Sequence, residues 1–511
     1  MFEGIAGGLG TALAPFNLLM VTLGCFAGTF IGLLPGLGPI SAVALMIPLT
    51  YGLDPASGMI LMAGVYYGAV FGGSTSSILI NAPGTASTVA TSFDGYPLAQ
   101  LGQAGRALAL AAYASFTGGT VGAVALLVAA PLLAQLALSF QSPDYFALMV
   151  LGLTAITAMA GRGQMLQAAL MTVLGLMLGT VGADATSGLP RFTFGRLDLI
   201  DGFSFLLLAM ATFALAEVVG SVLVGKHREV QTRGRAELGS MRLTRSEVRD
   251  VAPVVGRSSV LGFLVGVLPG VGATLASFIA YGVERNLAPA ARKKRFGKGS
   301  LRGLAAPEAA NNAASTGSFV PLLTLGIPGS GTTAIMLGAL IAYGIQPGPR
   351  LFVDHPEVFW SVIVSMYVGN IVLLLLNLPL IPYLARLLRV PIQLLVPLVI
   401  LFSVVGVYLV SFNTVDIQIM VLIALVALLL KGLGFPMAPV LLGFILGGYL
   451  EDNLQRALIL YDGSVRFLWE RPAALGIMLV TLCFLLWPAF EHFRGAQELA
   501  SRRRSSSAEL D

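Results

Sequence analysis

Long uncharged apolar runs dominate the chain, and several stop abruptly at a glycine–proline phrase. Leu108 to Leu133 and Val358 to Ala385 carry no charge, and Arg389 to Asp416 encloses another such run. A helix needs about 20 apolar residues to cross a hydrocarbon core ~30 Å thick. Candidate segments lie near 16–34, 39–52, 58–80, 106–133, 144–160, 165–183, 203–224, 257–283, 303–326, 331–346, 358–385, 391–412, 417–448 and 473–490. Some are short or interrupted, so the pattern predicts about 11 to 12 true crossings. The fold class expected is an all-α polytopic membrane protein with broken, re-entrant helices.

Two phrases occur twice. Gly32-Leu33-Leu34-Pro35-Gly36-Leu37-Gly38 returns as Gly266-Val267-Leu268-Pro269-Gly270-Val271-Gly272. Asn81-Ala82-Pro83-Gly84-Thr85 returns more loosely as Gly326-Ile327-Pro328-Gly329-Ser330. Proline removes a backbone donor and glycine frees the dihedrals, so each phrase interrupts a helix. Bare backbone at membrane depth is tolerated only where protein buries it or a cavity reaches it. Paired interruptions in two halves of a chain point to the binding site of a secondary transporter.

The loops give the two halves opposite signs. Tyr51 to Gly58 holds one acid and no base, whereas its counterpart, Arg285 to Arg302, is strongly basic. Asp94 to Arg106 is balanced, whereas Gln346 to Glu357 leans acidic. Basic loops stay in the cytoplasm, so the halves are expected to be inverted repeats. The division expected is a first repeat over 1–225, a basic cytoplasmic linker over 226–256, a second repeat with C-terminal helices over 257–495, and a disordered tail over 496–511.

Polar residues crowd the second phrase in both halves. Ser74, Ser76, Asn81, Thr85 and Ser87 surround Pro83 and Gly84. Glu308, Asn311, Asn312, Ser330 and Thr332 surround Pro328 and Gly329. With Pro35, Gly36, Gly38, Pro269, Gly270 and Gly272 of the first phrase, these are the candidate substrate and ion ligands. A half-helix that begins after Pro-Gly offers free amides and a partial positive charge, which suit an anion. The carbonyls that end the preceding half-helix suit a cation, with Na⁺ near Asn81 and Asn312 as the candidate. Taken singly, each hydroxyl is accounted for by a bond to its own helix; two clusters at matching places favour a site. Glu308 divides evenly between an ion or proton role and a structural cap. Asp94 fits a turn, Glu217 a partner near Lys226, and Glu451-Asp452 a loop at a helix end.

Composition narrows the classes. The 511 residues are 56% hydrophobic and 11% charged, against roughly 25% charged in globular proteins. The net charge of +5 sits mostly in loops and gives no reason to expect nucleic acid. Cys25 and Cys483 form no metal pattern. The start lacks a basic segment, so no cleavable signal peptide is expected. His227, His355 and His492 lie far in sequence from the serine clusters, which leaves a serine hydrolase unsupported. Gly297-Lys298-Gly299-Ser300 fails as a phosphate loop because Arg292 stands in place of the first glycine. No enzyme activity and no cofactor are expected, beyond Na⁺ or H⁺ as coupling ion. A passive anion channel, or a permease subunit driven by another chain's ATPase, is the alternative.

At Gly32–Pro48, Tyr67–Arg106, Gly266–Tyr281 and Phe296–Phe352 the chain resembles the large membrane subunit of the tripartite tricarboxylate transporter family, the TctA type. The resemblance runs to about residue 495. It implies a multi-pass importer of the bacterial cytoplasmic (inner) membrane. It also implies a small membrane subunit of TctB type and a periplasmic solute-binding protein of TctC type as partners. The cargo implied is a carboxylate such as citrate, taken up down an ion gradient, often of Na⁺.

Overall fold

A computed structural model describes residues 2–34, 37–158, 164–184, 188–223, 240–270, 272–387 and 392–486. The first part of the expected linker (226–239) and the whole tail lie outside these residues, as do Pro35, Gly36, Val271, His227 and His492.

The chain is helical almost throughout. The first half supplies α1 (Phe2–Ala12), α2 (Pro15–Leu33), α3 (Pro39–Thr50), α4 (Pro55–Ile80), α5 (Val89–Leu98), α6 (Ala104–Ala137), α7 (Ser142–Ala158) and α8 (Met165–Gly179). It ends with α9 (Phe205–Ala209) and α10 (Ala216–Leu223), joined by π-helical Met210–Leu215. The second half supplies α11 (Arg245–Val267), α12 (Gly272–Leu287), α13 (Ala290–Lys293), α14 (Leu301–Gly317), α15 (Phe319–Leu325), α16 (Gly331–Ala342) and α17 (Pro349–Asp354). There follow α18 (Pro356–Leu387), α19 (Ile392–Ser411), α20 (Thr414–Gly432), α21 (Ala438–Leu460) and α22 (Phe467–Glu470). Among the described residues the only strands are β1 (Gly182–Ala183) and β2 (Pro190–Arg191), paired antiparallel. Among the described residues six helices are long and apolar enough to span a bilayer, and shorter apolar helices accompany them. The protein is an all-α, multi-pass membrane protein.

Local chemistry sets the helix starts. The Asp54 carboxylate accepts from Ala56 N–H, with Pro55 in the first turn. Thr244 and Glu247 form a capping box at the start of α11. Ser300 caps α14 through Gly303 N–H. Each satisfies amides that would otherwise stay unpaired at a helix start.

The fold forms two compact units. One comprises residues 1–139 and 203–433, the other 140–202 and 434–511. Both draw on both sequence halves, so they cut across the linear division. The apolar stretch 417–448, expected as one segment, is two helices: α20 ends at Gly432, α21 starts at Ala438, and they fall in different units. The segment expected at 257–283 is likewise two helices, α11 and α12, parted by the Leu-Pro-Gly phrase.

Within the larger unit the two halves pack alike. In the first, α2 lies along α4; in the second, α11 lies along α14. Glycine allows both approaches. Gly24, Gly28 and Gly32 of α2 meet the backbone of Leu61, Val65 and Ala69, while Gly64, Gly68 and Gly72 of α4 meet that of α2. In the second half Gly262 and Gly266 meet the backbone of Ala310 and Ala314. Small residues one turn apart let membrane helices touch backbone to backbone, where dispersion replaces the missing hydrophobic drive. The halves also exchange long helices: α6 packs on α14 and α11, and α18 packs on α4 and α2.

In the smaller unit α21 packs on α7 and α8. Buried Asp144 is held there by Arg471 at 2.7–2.8 Å. Glu451, expected in a loop, lies inside α21 and binds Arg191 at 2.7 Å.

Candidate functional site

Both second phrases break a helix in the same way. Asn81 ends α4 in the left-handed region (φ 52°, ψ 31°), and Gly326 ends α15 there (φ 71°, ψ 22°). Only glycine, and after it asparagine, enters this region cheaply, so one physical need explains Asn81 and Gly326 at matching positions. Four residues on, the chain is extended again at Thr85 and at Ser330, each the N-cap of the next helical segment. The Ser330 hydroxyl accepts from Thr333 N–H at 3.2 Å, and the Thr333 hydroxyl accepts from Ser330 N–H at 2.8 Å. Thr85 Oγ1 lies 2.9 Å from Ser87 Oγ, and the Thr88 hydroxyl donates to Thr85 O at 3.0 Å. Each break therefore presents a hydroxyl-rich helix start.

The first phrase supports the second in each half. A Cβ on Gly84 would enter the space of Gly32 O and Gly73 Cα, and one on Gly329 that of the Ser318 backbone. Gly270 N–H donates to Gly329 O at 3.1 Å, and Gly272 lies near the Ser330 side chain. Pro269 flanks that contact and is half-buried, as are Pro83 and Ala82. Gly38 is the N-cap of α3; Pro35 and Gly36, as noted, lie outside the described residues.

The breaks differ in exposure. Asn81 and Ala86 are exposed, whereas Gly326 to Ser330, including Pro328, are buried. Thr332 is buried beside them. Asn81 is exposed, whereas Asn312 is buried and its amide nitrogen donates to Glu308 O and to Asn311 Oδ1 (3.0 and 2.6 Å).

Glu308 is the centre of the polar network. It is fully buried in the middle of α14, well past the Ser300 cap, so it does not cap that helix. The hydroxyls of Ser74 (2.8 Å) and Ser115 (2.7 Å) donate to Oε2, and that of Thr91 donates to Oε1. Four helices, α4, α5, α6 and α14, therefore meet at one carboxylate. The Asn311 amide nitrogen lies near it without hydrogen-bond geometry and is otherwise unpartnered. Ser76 bonds its own helix at Gly73 O, as the simplest account of a membrane serine has it.

Sequence reasoning missed several contributors. Thr91 and Ser115 carry no local signal, because they reach Glu308 only through tertiary packing. Tyr66 lies 3.4 Å from Ser330 Oγ, and with Tyr67 and Phe319 it forms an aromatic cluster with ring centroids 5.9–6.0 Å apart. Asp94 belongs to α5, is fully buried, and is not in a turn. Its Oδ1 accepts from Lys298, Gly299 and Ser300 N–H at 3.1, 2.9 and 2.7 Å, and its Oδ2 from the Tyr281 hydroxyl at 3.1 Å. The phrase that fails as a phosphate loop is thus an anion cradle after all, and its anion is a side chain of the first half. Glu217 pairs with Lys431 of α20. No group of metal-binding His, Cys, Asp and Glu side chains occurs among the described residues.

Comparison with known proteins places the chain beside transport components. The model of the tripartite tricarboxylate transporter TctA family matches residues 18–442. An uncharacterized 52.8 kDa protein in the TAR-I ttuC' 3' region of Agrobacterium vitis is 41% identical over 482 residues, covering 94% of this chain and 95% of that one. An uncharacterized protein in the TAR-II ttuC' 3' region of the same organism is 42% identical over 236 residues, 46% of this chain and 97% of its own. No solved structure matches.

Proposed function

The chain belongs to the tripartite tricarboxylate transporter TctA family, and from that premise we propose that it is the large permease subunit of a binding-protein-dependent secondary transporter. It imports tricarboxylates or related carboxylates across the bacterial inner membrane, driven by a gradient of Na⁺ or H⁺. A small membrane subunit of TctB type and a periplasmic binding protein of TctC type complete it.

The observation that carries this reading is the matched pair of helix breaks. Each ends one segment in the left-handed region and starts the next at a hydroxyl cap, Thr85 or Ser330. Helix starts present amides and a partial positive charge, so a carboxylate is bound without a buried cation of the protein. The opposite charges of the equivalent loops support inverted repeats. The first break, with Asn81 and Ala86 exposed and Thr85 buried, and the buried second break fit one state of alternating access between them.

The test is uptake of labelled citrate and other carboxylates into proteoliposomes holding this chain with its two partners. Uptake is expected to follow an imposed Na⁺ or H⁺ gradient and to fall sharply in Thr85→Ala and Ser330→Ala. Flux that only equalises concentration, or that needs ATP, would overturn the reading in favour of a channel or an ATPase-driven permease.

A further inference from the structure

Four carboxylates are buried among the described residues: Asp94, Asp144, Glu284 and Glu308. Two have cationic partners, and a third has three backbone amides. Arg471 holds Asp144, and Arg257 holds Glu284 at 2.7–3.0 Å. The amides at the start of α14 hold Asp94. Glu308 has three neutral hydroxyls and forms no ion pair. Burying an ionised carboxylate is strongly unfavourable unless a positive charge or a metal compensates it, and intramembrane acids mark ion pathways.

The surroundings say what that positive charge is. A cavity of about 10 Å³ adjoins the network, lined by Ser74, Thr75, Ser115 and Asn377 with Phe71 and Leu108. That is room for one water-sized particle. Ser74 and Ser115 both bond Glu308 Oε2, so the cavity lies one hydroxyl from the carboxylate. The Asn377 amide nitrogen is committed to Leu373 O at 2.9 Å, which leaves its oxygen to offer. The available ligands are all oxygens and come from α4, α5, α6, α14 and α18. Hard cations take such ligand sets. A proton needs one oxygen and no cavity.

We propose that Glu308, the hydroxyls of Ser74, Thr91 and Ser115, and the Asn377 amide oxygen form the seat of a single small monovalent cation of Na⁺ size. As the coupling-ion site it rests on the transport reading above. All five of its helices also carry packing between the two halves, α5 and α6 on α14 and α4 and α6 on α18. Ion entry would therefore set how α5, which follows the first break, sits against α14.

The experiment is thermal unfolding of the full chain in lipid nanodiscs, titrated with NaCl against KCl and choline chloride at fixed ionic strength and at two pH values. Na⁺ alone is expected to raise the midpoint. Glu308→Gln and Ser115→Ala are each expected to raise the half-saturating Na⁺ roughly ten- to hundredfold, the equivalent of one charge-assisted contact. Ser115→Ala keeps the charge and decides the matter if Glu308→Gln does not fold. Equal effects of K⁺ and choline overturn the proposal, as does a Na⁺ effect unchanged in the folded variants. A midpoint that moves with pH but not with Na⁺ overturns it in favour of a proton. Carboxylate uptake by the wild type is measured in parallel. Uptake without a Na⁺-specific shift sinks this site alone, and a Na⁺-specific shift without uptake sinks the transport reading alone.

Discussion

Placing one methyl group at Gly28 tests whether backbone contact between α2 and α4 holds the first half together. A Cβ there would lie 2.8 Å from both the carbonyl carbon and the Cα of Val65, where ordinary contact begins near 3.4 Å. These are backbone atoms of a buried helix, so no rotamer relieves the clash and the helices must separate. Overpacking of this kind costs about 1–3 kcal/mol. The methyl also gains up to ~1 kcal/mol of helix propensity, for a net loss of roughly 0–2 kcal/mol and a deficit of about 1–3 kcal/mol against a control that takes the same gain. Gly256→Ala is the control: it lies within α11, is exposed, and a Cβ there meets nothing within 4 Å. It takes only the propensity gain. Thermal unfolding in detergent, followed by size-exclusion recovery, should put Gly28→Ala several degrees below Gly256→Ala. Gly262→Ala, at the matching contact with Ala310, should behave like Gly28→Ala. Equal stability of Gly28→Ala and Gly256→Ala would refute the idea that glycine is there for close approach.

Other perturbations read other parts of the fold. Asp94→Ala strips three backbone amides and a tyrosine hydroxyl of their acceptor; a loss of about 1–3 kcal/mol is expected, read as a lower unfolding midpoint and faster proteolysis of the 285–302 loop. Arg471→Ala leaves Asp144 buried without its cation and should cost about 3–5 kcal/mol in the same assay. Asn81→Gly should hold stability within about 0.5 kcal/mol, whereas Asn81→Val should lose ~1–2 kcal/mol, because the position is left-handed. Equal effects of the two would show that the backbone is not what asparagine serves there. Ser330→Ala should lower the midpoint by the ~0.5–2 kcal/mol of a lost N-cap, with Ser330→Thr restoring it.

The repeated phrases announced the helix breaks because proline and glycine act on the backbone where they stand. Asn81 is an instructive case: it reads in sequence as a polar ligand, and its left-handed dihedrals show a backbone requirement first. Glu308 stood out by charge within an apolar chain, yet whether it capped a helix or bound an ion depended on its place in α14. Its partners Thr91 and Ser115 are ordinary membrane hydroxyls in sequence. Asp94 fitted a turn until the loop before α14 closed over it.

Membership of the all-α membrane class, the positions of the interruptions and the two-fold likeness of the halves all follow from local rules: apolar length, missing donors and freed dihedrals. Which hydroxyls meet Glu308, which amides clasp Asp94 and which stretches share a compact unit were settled by packing alone. Those contacts join residues 187 to 234 positions apart. A buried charge chooses its partners among whatever the folded helices bring within reach, and no periodicity along the chain records that choice.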